Sequence, residues 1–319
     1  MTRFSSRAYR GGDDIHVLFQ FATETVALRP AGESTWNPGD IAWQLGMFPE
    51  NAGFADFVRI WEDDRGAVAL AIFEPPINFA FDIHPRLGFD EALASEVLAW
   101  AEGQRRALLG NEGTVPIAYE MLGDSTLSTE VGESDGPRIA FLRSSGYERV
   151  ERHSVRYSRT LDGPIETPSL PPGMRFRYAT DADVEARAEL HRDAWSVWGP
   201  SSFSASRYRR LRAQPVYDET LDVVVEDAEG RLVSYCICWF NEAAGIGNFE
   251  PVGTRPSHTG MGLGRATVME GLRRLQERGA KTALIGTASV NAPALKCYAA
   301  CGFTLLERAY LYSREITVS

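Results

Sequence analysis

An α/β (α+β) chain built as two tandem copies of one fold is predicted by three features of the 319 residues. Strand-like and helix-like segments alternate through the second half, the two halves end alike, and a proline-rich connector lies between them. Residues 140–159, AFLRSSGYERVERHSVRYSR, run parallel to residues 296–314, KCYAACGFTLLERAYLYSR. Gly146-Tyr147 falls on Gly302-Phe303 and Glu151-Arg152 on Glu307-Arg308; one gap brings Tyr157-Ser158-Arg159 onto Tyr312-Ser313-Arg314. The connector TLDGPIETPSLPPG (160–173) holds four prolines and two glycines with little apolar periodicity. The predicted boundaries are therefore 1–160, a linker over 161–173, and 174–319. A weaker match sets residues 72–103 beside 239–279 as strand, X-Pro and helix, the first copy keeping only Gly88 between Pro85 and its helix.

Within the second half, Thr180 and Asp183 form a capping box that opens a helix to about Trp195, and residues 204–214 make a second, short helix. LDVVVED and LVSYCICWF flank AEG as a hairpin. IGNFEPVGT is a further strand, and Pro251, which has no N–H for a ladder, marks a bulge or a splayed edge in it. Val268, Leu272 and Leu275 repeat at helical spacing after a glycine loop. KTALIGTAS then reads as a strand, APALKCYAAC as a helix and FTLLERAYLYS as one or two closing strands.

Composition narrows the function. The chain is 44% hydrophobic and 24% charged, no apolar run approaches the roughly 18 residues of a membrane span, and the N-terminus lacks an apolar signal core. A cytoplasmic protein with no membrane role is expected. The net charge is −10, and 26 of the 43 acidic residues but only 15 of the 33 basic ones precede residue 174. An acidic chain without a basic stripe is a poor nucleic-acid ligand. Cys236 and Cys238 share one face of a strand, and Cys297 and Cys301 lie one helical turn apart, which points to core packing and to no metal.

The glycine loop carries the chemistry. Gly260, Gly262 and Gly264 lie immediately before a helix, where bare backbone turns sharply and unpaired N–H groups face an anion. A dinucleotide fingerprint fails, because Lys281 and Thr282 stand where its acid should be, and a G-K-[ST] loop is missing. The segment RPSHTGMGLGRA (255–266) resembles the acetyl-CoA pyrophosphate loop of the GCN5-related N-acetyltransferases, [QR]-x-x-G-x-[GA], with Thr259 in place of the usual Gln or Arg. About 30 residues on, NAPALKCYAACGF (291–303) resembles that family's later signature through Asn291, Ala294, Tyr298, Gly302 and Phe303.

The resemblance implies two tandem domains, each with a mixed, mostly antiparallel sheet flanked by helices and splayed at the cofactor site. It implies acetyl-CoA as co-substrate, with its pyrophosphate over Thr259, Gly260, Met261, Gly262, Leu263, Gly264 and Arg265 and its pantetheine arm along Val252, Gly253 and Thr254. Asn291 and Ala294 would line the cofactor, Tyr298 would protonate the departing thiolate, and Glu250 would act as base. His258 is expected at the surface. Trp195, Trp198, Phe203 and Tyr208 are either acceptor walls or core.

In the first copy, Leu142 stands at the position of Tyr298 and the glycines are missing, so a structural role is expected there, with one wall of the acceptor site. The layout with a worn first copy also resembles that of mycothiol synthases. The implied activity is N-acetylation of a small primary amine, cationic by the acidity of the first half, in the C-terminal domain of a monomer or homodimer. A non-catalytic acyl-CoA sensor and a protein or peptide acetyltransferase are the alternatives.

Overall fold

Strands and helices are interspersed through residues 4–29, 36–48, 53–110 and 125–317, which a computed structural model describes. The first half runs β1 (Ser5–Ala8), α1 (Asp14–Leu28), α2 (Pro38–Met47), α3 (Phe54–Phe57), β2 (Val58–Asp63), β3 (Gly66–Glu74) and β4 (Asn78–Ile83). It continues through α4 (Glu91–Gly110), β5 (Thr126–Gly132), α5 (Gly136–Ser144) and β6 (Glu148–Thr160). The second half runs β7 (Arg175–Tyr178), α6 (Val184–Trp195), α7 (Ala205–Arg212), β8 (Asp222–Glu226), β9 (Leu232–Asn241) and β10 (Ile246–Thr254). It closes with α8 (Leu263–Glu277), β11 (Thr282–Ala288), α9 (Ala292–Ala300) and β12 (Thr304–Glu315).

Packing divides the chain into two units, neither contiguous in sequence. One comprises Met1–Trp36, Asn51–Ser154 and Glu307–Ser319; the other comprises Asn37–Glu50 and Val155–Leu306. In the first unit β1 to β4 form an antiparallel meander, β5 lies parallel to β4, and β12 lies antiparallel to β5. Its core gathers Phe73, Phe79, Val97, Phe141, Tyr147 and Tyr312. In the second unit β7 to β10 form the same meander and β11 lies parallel to β10, over a core that includes Val268, Leu272, Leu275, Cys236, Cys238 and Phe303. The repeat visible in the sequence is thus a repeat of topology.

The contiguous boundaries expected from the connector differ from this division, for a physical reason. The last strand of each copy changes unit: β6 belongs to the second unit from Val155, and β12 to the first from Glu307, where Ala309 to Glu315 pair with β5. The proline-rich stretch is itself bound. Leu161 is buried in the second core, its N–H donates to Lys281 O at 2.8 Å, and Gln276 donates to the carbonyls of Leu161 and Gly163. Among the described residues, no helix is long and apolar enough to cross a membrane.

Helix α2 belongs to the second unit although it comes from the first half. Asn37 and Asp40 form a capping box with Pro38 in the first turn, the favoured chemistry for a helix start. Trp43 stacks on Phe203, and Arg210 donates to the carbonyls of Gly46 and Phe48 at 2.9 and 2.5 Å. Gly39 sits so close to Trp239 that a Cβ there would come within 2.1 Å of the indole. We expect Gly39→Ala to lower the unfolding free energy by about 1–3 kcal/mol through overpacking. Gly103→Ala, in α4 with nothing near its Cβ position, should raise it by about 0.5–1 kcal/mol. Urea midpoints check both, and equal effects would contradict the close approach.

Candidate active site

Strand β10 is held on both sides only over its first half. Ile246 to Phe249 pair with Thr282 to Ile285 of β11, and the ladder then ends. On the other side β9 stays paired to the end, with a register shift between Phe249 and Val252. That bulge contains Glu250 and Pro251; a bulge bends its strand, and proline offers no N–H to the ladder. The backbone from Glu250 to Thr254 therefore presents one edge with no β11 partner. Gly253 lets helix α6 come close: a Cβ there would lie 2.6 Å from Tyr235 and 2.8 Å from Ala194. The Thr254 hydroxyl turns inward to Ser234 at 2.8 Å, and Ser234 bonds Thr267 of α8 at 2.8 Å, so the end of β10 is tied beneath the start of that helix.

The chain then passes through a 3-10 turn, Pro256–His258, where the Thr259 hydroxyl donates back to Pro256 O at 2.9 Å. Gly260 and Gly262 have φ of +81° and +79°, and a Cβ at either would meet nothing, so conformation rather than space calls for glycine. Helix α8 starts at Leu263 with Gly262 as N-cap and no side-chain cap. Its first N–H groups are left at an exposed loop, the geometry of an anion site. Met261 is exposed, Leu263 is buried in the core, and exposed Arg265 pairs with Glu166 at 3.1 Å.

The two side chains proposed for chemistry both lie by the break, close enough for the charge of Glu250 to act on Tyr298. Glu250 is half-buried within the bulge; its carboxyl is pushed up to about 8, by burial first and by the charge of Asp40 second. Tyr298, on α9, is 6% exposed, and its hydroxyl donates to Gly286 O at 3.5 Å. Gly286 is the first residue of β11 beyond the last pair with β10. Burial, then the Glu250 charge, hold the phenol well above its ordinary range, so it is a neutral donor. A carboxyl that exchanges its proton near neutrality thus shares an environment with a phenol that keeps its own.

Other sequence expectations resolve differently. The Asn291 side chain caps α9, accepting from Ala294 N at 3.3 Å and donating to Thr287 at 2.9 Å, which occupies both of its ends. Ala294 lies half-buried on that helix. Phe203 and Tyr208 are fully buried core, Trp195 is half-buried and donates to Tyr235 at 3.1 Å, and Trp198 is exposed. His258 is half-buried rather than at the open surface, bonded to Ser257 at 2.9 Å.

Sequence reasoning missed Asp40. It accepts from Asn248 of β10 at 2.7 Å and raises Glu250. Its signal was the N-P-G-D capping box, which announces a helix but not where the helix docks.

Residues 185–303 match the model of the acetyltransferase (GNAT) family. A mycothiol acetyltransferase of Thermobispora bispora is 30% identical over 312 residues, covering 93% of this chain and 94% of its own. One from Saccharomonospora viridis is 28% identical over 319 residues, covering 95% and 94%. Among solved structures, a tandem GNAT protein from the clavulanic acid biosynthesis pathway aligns over 99% of both chains with a TM-score of 0.68 at 16% identity, a likeness of fold.

The elevated carboxyl has a consequence for stability. A Glu held above its ordinary value binds its proton more tightly folded than unfolded, so its stabilising proton is present at pH 4 and is lost as pH rises through about 8. Glu250→Gln, which does not titrate, should melt with the wild type at pH 4 and a few degrees higher at pH 9 by calorimetry. A variant that melts lower at pH 9 would contradict the buried-carboxyl assignment.

Proposed function

Because this chain belongs to the GCN5-related N-acetyltransferase family and is an acetyltransferase of that type, we propose that it moves the acetyl group of acetyl-CoA to a small primary amine at the open edge of β10. The observation that carries this reading is one continuous feature: an unpaired strand edge that runs into an uncapped helix start. The amide-bearing pantetheine arm extends the sheet along Val252, Gly253 and Thr254, as any extended chain does at an exposed edge. The pyrophosphate rests over residues 259 to 265 on the N–H groups that open α8. This arrangement brings the thioester to the break, beside Glu250 and Tyr298.

The chemistry then needs proton transfers at the nitrogen and at the sulfur. Glu250 takes a proton from the ammonium of the acceptor, directly or through one water, and the freed nitrogen attacks the thioester carbonyl. Collapse of the tetrahedral intermediate breaks the carbon–sulfur bond; the Tyr298 hydroxyl gives its proton to the leaving thiolate and is reprotonated by the proton that the attacking nitrogen sheds as the amide forms. The carboxyls of Asp40 and Glu250 at this rim favour a cationic acceptor, whose charge in turn favours their ionised forms. Since the relatives of matching length are named mycothiol acetyltransferases, the acceptor of those enzymes is the first to assay.

Two measurements follow. Tyr298→Phe should lower kcat on the order of 10²-fold while acetyl-CoA affinity stays within about twofold. In the same assay the wild type should show an acid limb near pH 8, which Glu250→Gln abolishes and Asp40→Asn moves to lower pH by removing the neighbouring charge. An unchanged limb in both variants would reject Glu250 as base. Calorimetric titration with acetyl-CoA tests the cradle: Gly262→Asp should weaken binding at least roughly 10²-fold, whereas Gly262→Asn, with equal backbone strain and no charge, should retain most of it. Equal losses in the two would remove the anion site from the account.

A further inference from the structure

The first unit repeats the run of strand, 3-10 turn, helix, strand and helix, but its strand edge is filled. Aligned by their turns, Pro85–Leu87 and Pro256–His258, the strands β4 and β10 set Phe81 against Val252, Asp82 against Gly253 and Ile83 against Thr254. Aligned by their caps, Asp135 and Asn291, the helices α5 and α9 set Arg138 against Ala294, Phe141 against Cys297 and Leu142 against Tyr298. Strands β4 and β5 also part early: among the described residues their ladder holds only Asn78 opposite Ser128. The same splayed edge is therefore built twice.

In the first unit guanidinium groups lie along it. Arg138 donates to Phe81 O at 2.7 Å, bonds the Asp82 carboxylate at 3.1 Å, and sits 4.6 Å from the centroid of the Phe81 ring. Arg29 donates to Ile83 O at 3.0 Å and also pairs with Asp82. These carbonyls are the counterparts of Val252 O and Thr254 O. Asp82 takes a further bond from Ile83 N at 2.9 Å, and Asp82 and Arg138 are 3% and 9% exposed. A ligand arm pairing here would have to expel two cations and strand a buried carboxylate, an arrangement that is costly to break. The approach to α4 adds to this, since Gly88 alone replaces the three loop glycines.

We propose that Arg138 and Arg29 occupy from within the strand edge that in the second unit receives the coenzyme, so that the chain binds one coenzyme A thioester and the first unit binds none. This rests on the reading of β10 as the coenzyme edge. Arg138 is the determining residue: alanine at its counterpart leaves the β10 carbonyls accessible, and arginine covers them.

Hydrogen–deuterium exchange with and without saturating acetyl-CoA reads both edges in one experiment. In the wild type, peptides over 250–265 should gain protection and those over 78–88 should not, with calorimetry giving one site per chain and none in Gly262→Asp. In Arg29→Ala/Asp82→Ala/Arg138→Ala, which removes the cations together with their shared anion, the 78–88 peptides should become responsive at millimolar acetyl-CoA. Protection of 78–88 in the wild type, or one site retained in Gly262→Asp, would overturn the closure. An inert 78–88 in a folded triple variant would overturn the role of the two arginines. If the triple variant fails to fold, the wild-type exchange and the Gly262→Asp stoichiometry still decide the closure. Absence of binding in either region would fall instead on the β10 reading.

Discussion

The parting of β10 from β11 after Phe249 is the constraint on which the second unit depends. Parallel neighbours normally pair along their length, and an edge left open inside a sheet must be held open by something stronger than the hydrogen bonds it forgoes. Here the bulge at Glu250-Pro251 bends β10 away, β9 keeps its other side paired, and Gly253 admits α6 against it. Thr254, Ser234 and Thr267 then fix the strand end to the helix whose start faces the same opening. The opening is a designed product of three residue types with distinct physical roles: proline without a donor, glycine without a Cβ, and hydroxyls that tie down the end.

The same place carries an electrostatic cost. Two carboxyls, Asp40 and Glu250, lie half-buried here; burial disfavours ionisation of both, the charge of Asp40 further disfavours that of Glu250, and a buried phenol adds no counter-charge. Arg156 offsets part of this at Asp40. Structural economy alone would place an amide or an apolar group at Glu250. A carboxyl raised to about 8 is what proton abstraction from an ammonium near neutral pH calls for. In the proposed role of Glu250 as base, stability and chemistry pull in opposite directions at this residue, and helix α2 sets the balance because it delivers Asp40.

How much of this was legible in the sequence differs by kind of feature. Elements marked by local chemistry were readable: the Thr180–Asp183 capping box, the helical spacing of Val268, Leu272 and Leu275, the hairpin around AEG, and the irregularity at Pro251 all stand in the structure. The repeated ends of the two halves were readable as well. Their exchange was not, because a strand carries the same alternation whichever unit it joins, and nothing in the sequences of β6 and β12 distinguishes the two cores. The docking of α2 was hidden for a similar reason, since Gly39, Asp40 and Trp43 find their partners some 150 to 210 positions away. Asn291, which the resemblance places on the coenzyme, takes the N-cap position, where its side chain is bound to the α9 backbone and to Thr287.

On the proposed reading, few residues separate the open edge of the second unit from the filled edge of the first. Both retain the meander, the splay and the short second helix, and the difference lies in alanine or arginine, glycine or aspartate, tyrosine or leucine at matching positions. The central claim, that the β10 edge receives the coenzyme, is tested most directly by a crystal structure of the protein with acetyl-CoA. The account predicts the pantetheine amides paired with backbone between residues 250 and 254, the pyrophosphate on the first turn of α8, and the thioester sulfur within hydrogen-bonding reach of the Tyr298 hydroxyl, about 3.5 Å. A coenzyme bound away from β10, or one whose sulfur lies remote from Tyr298, would contradict it.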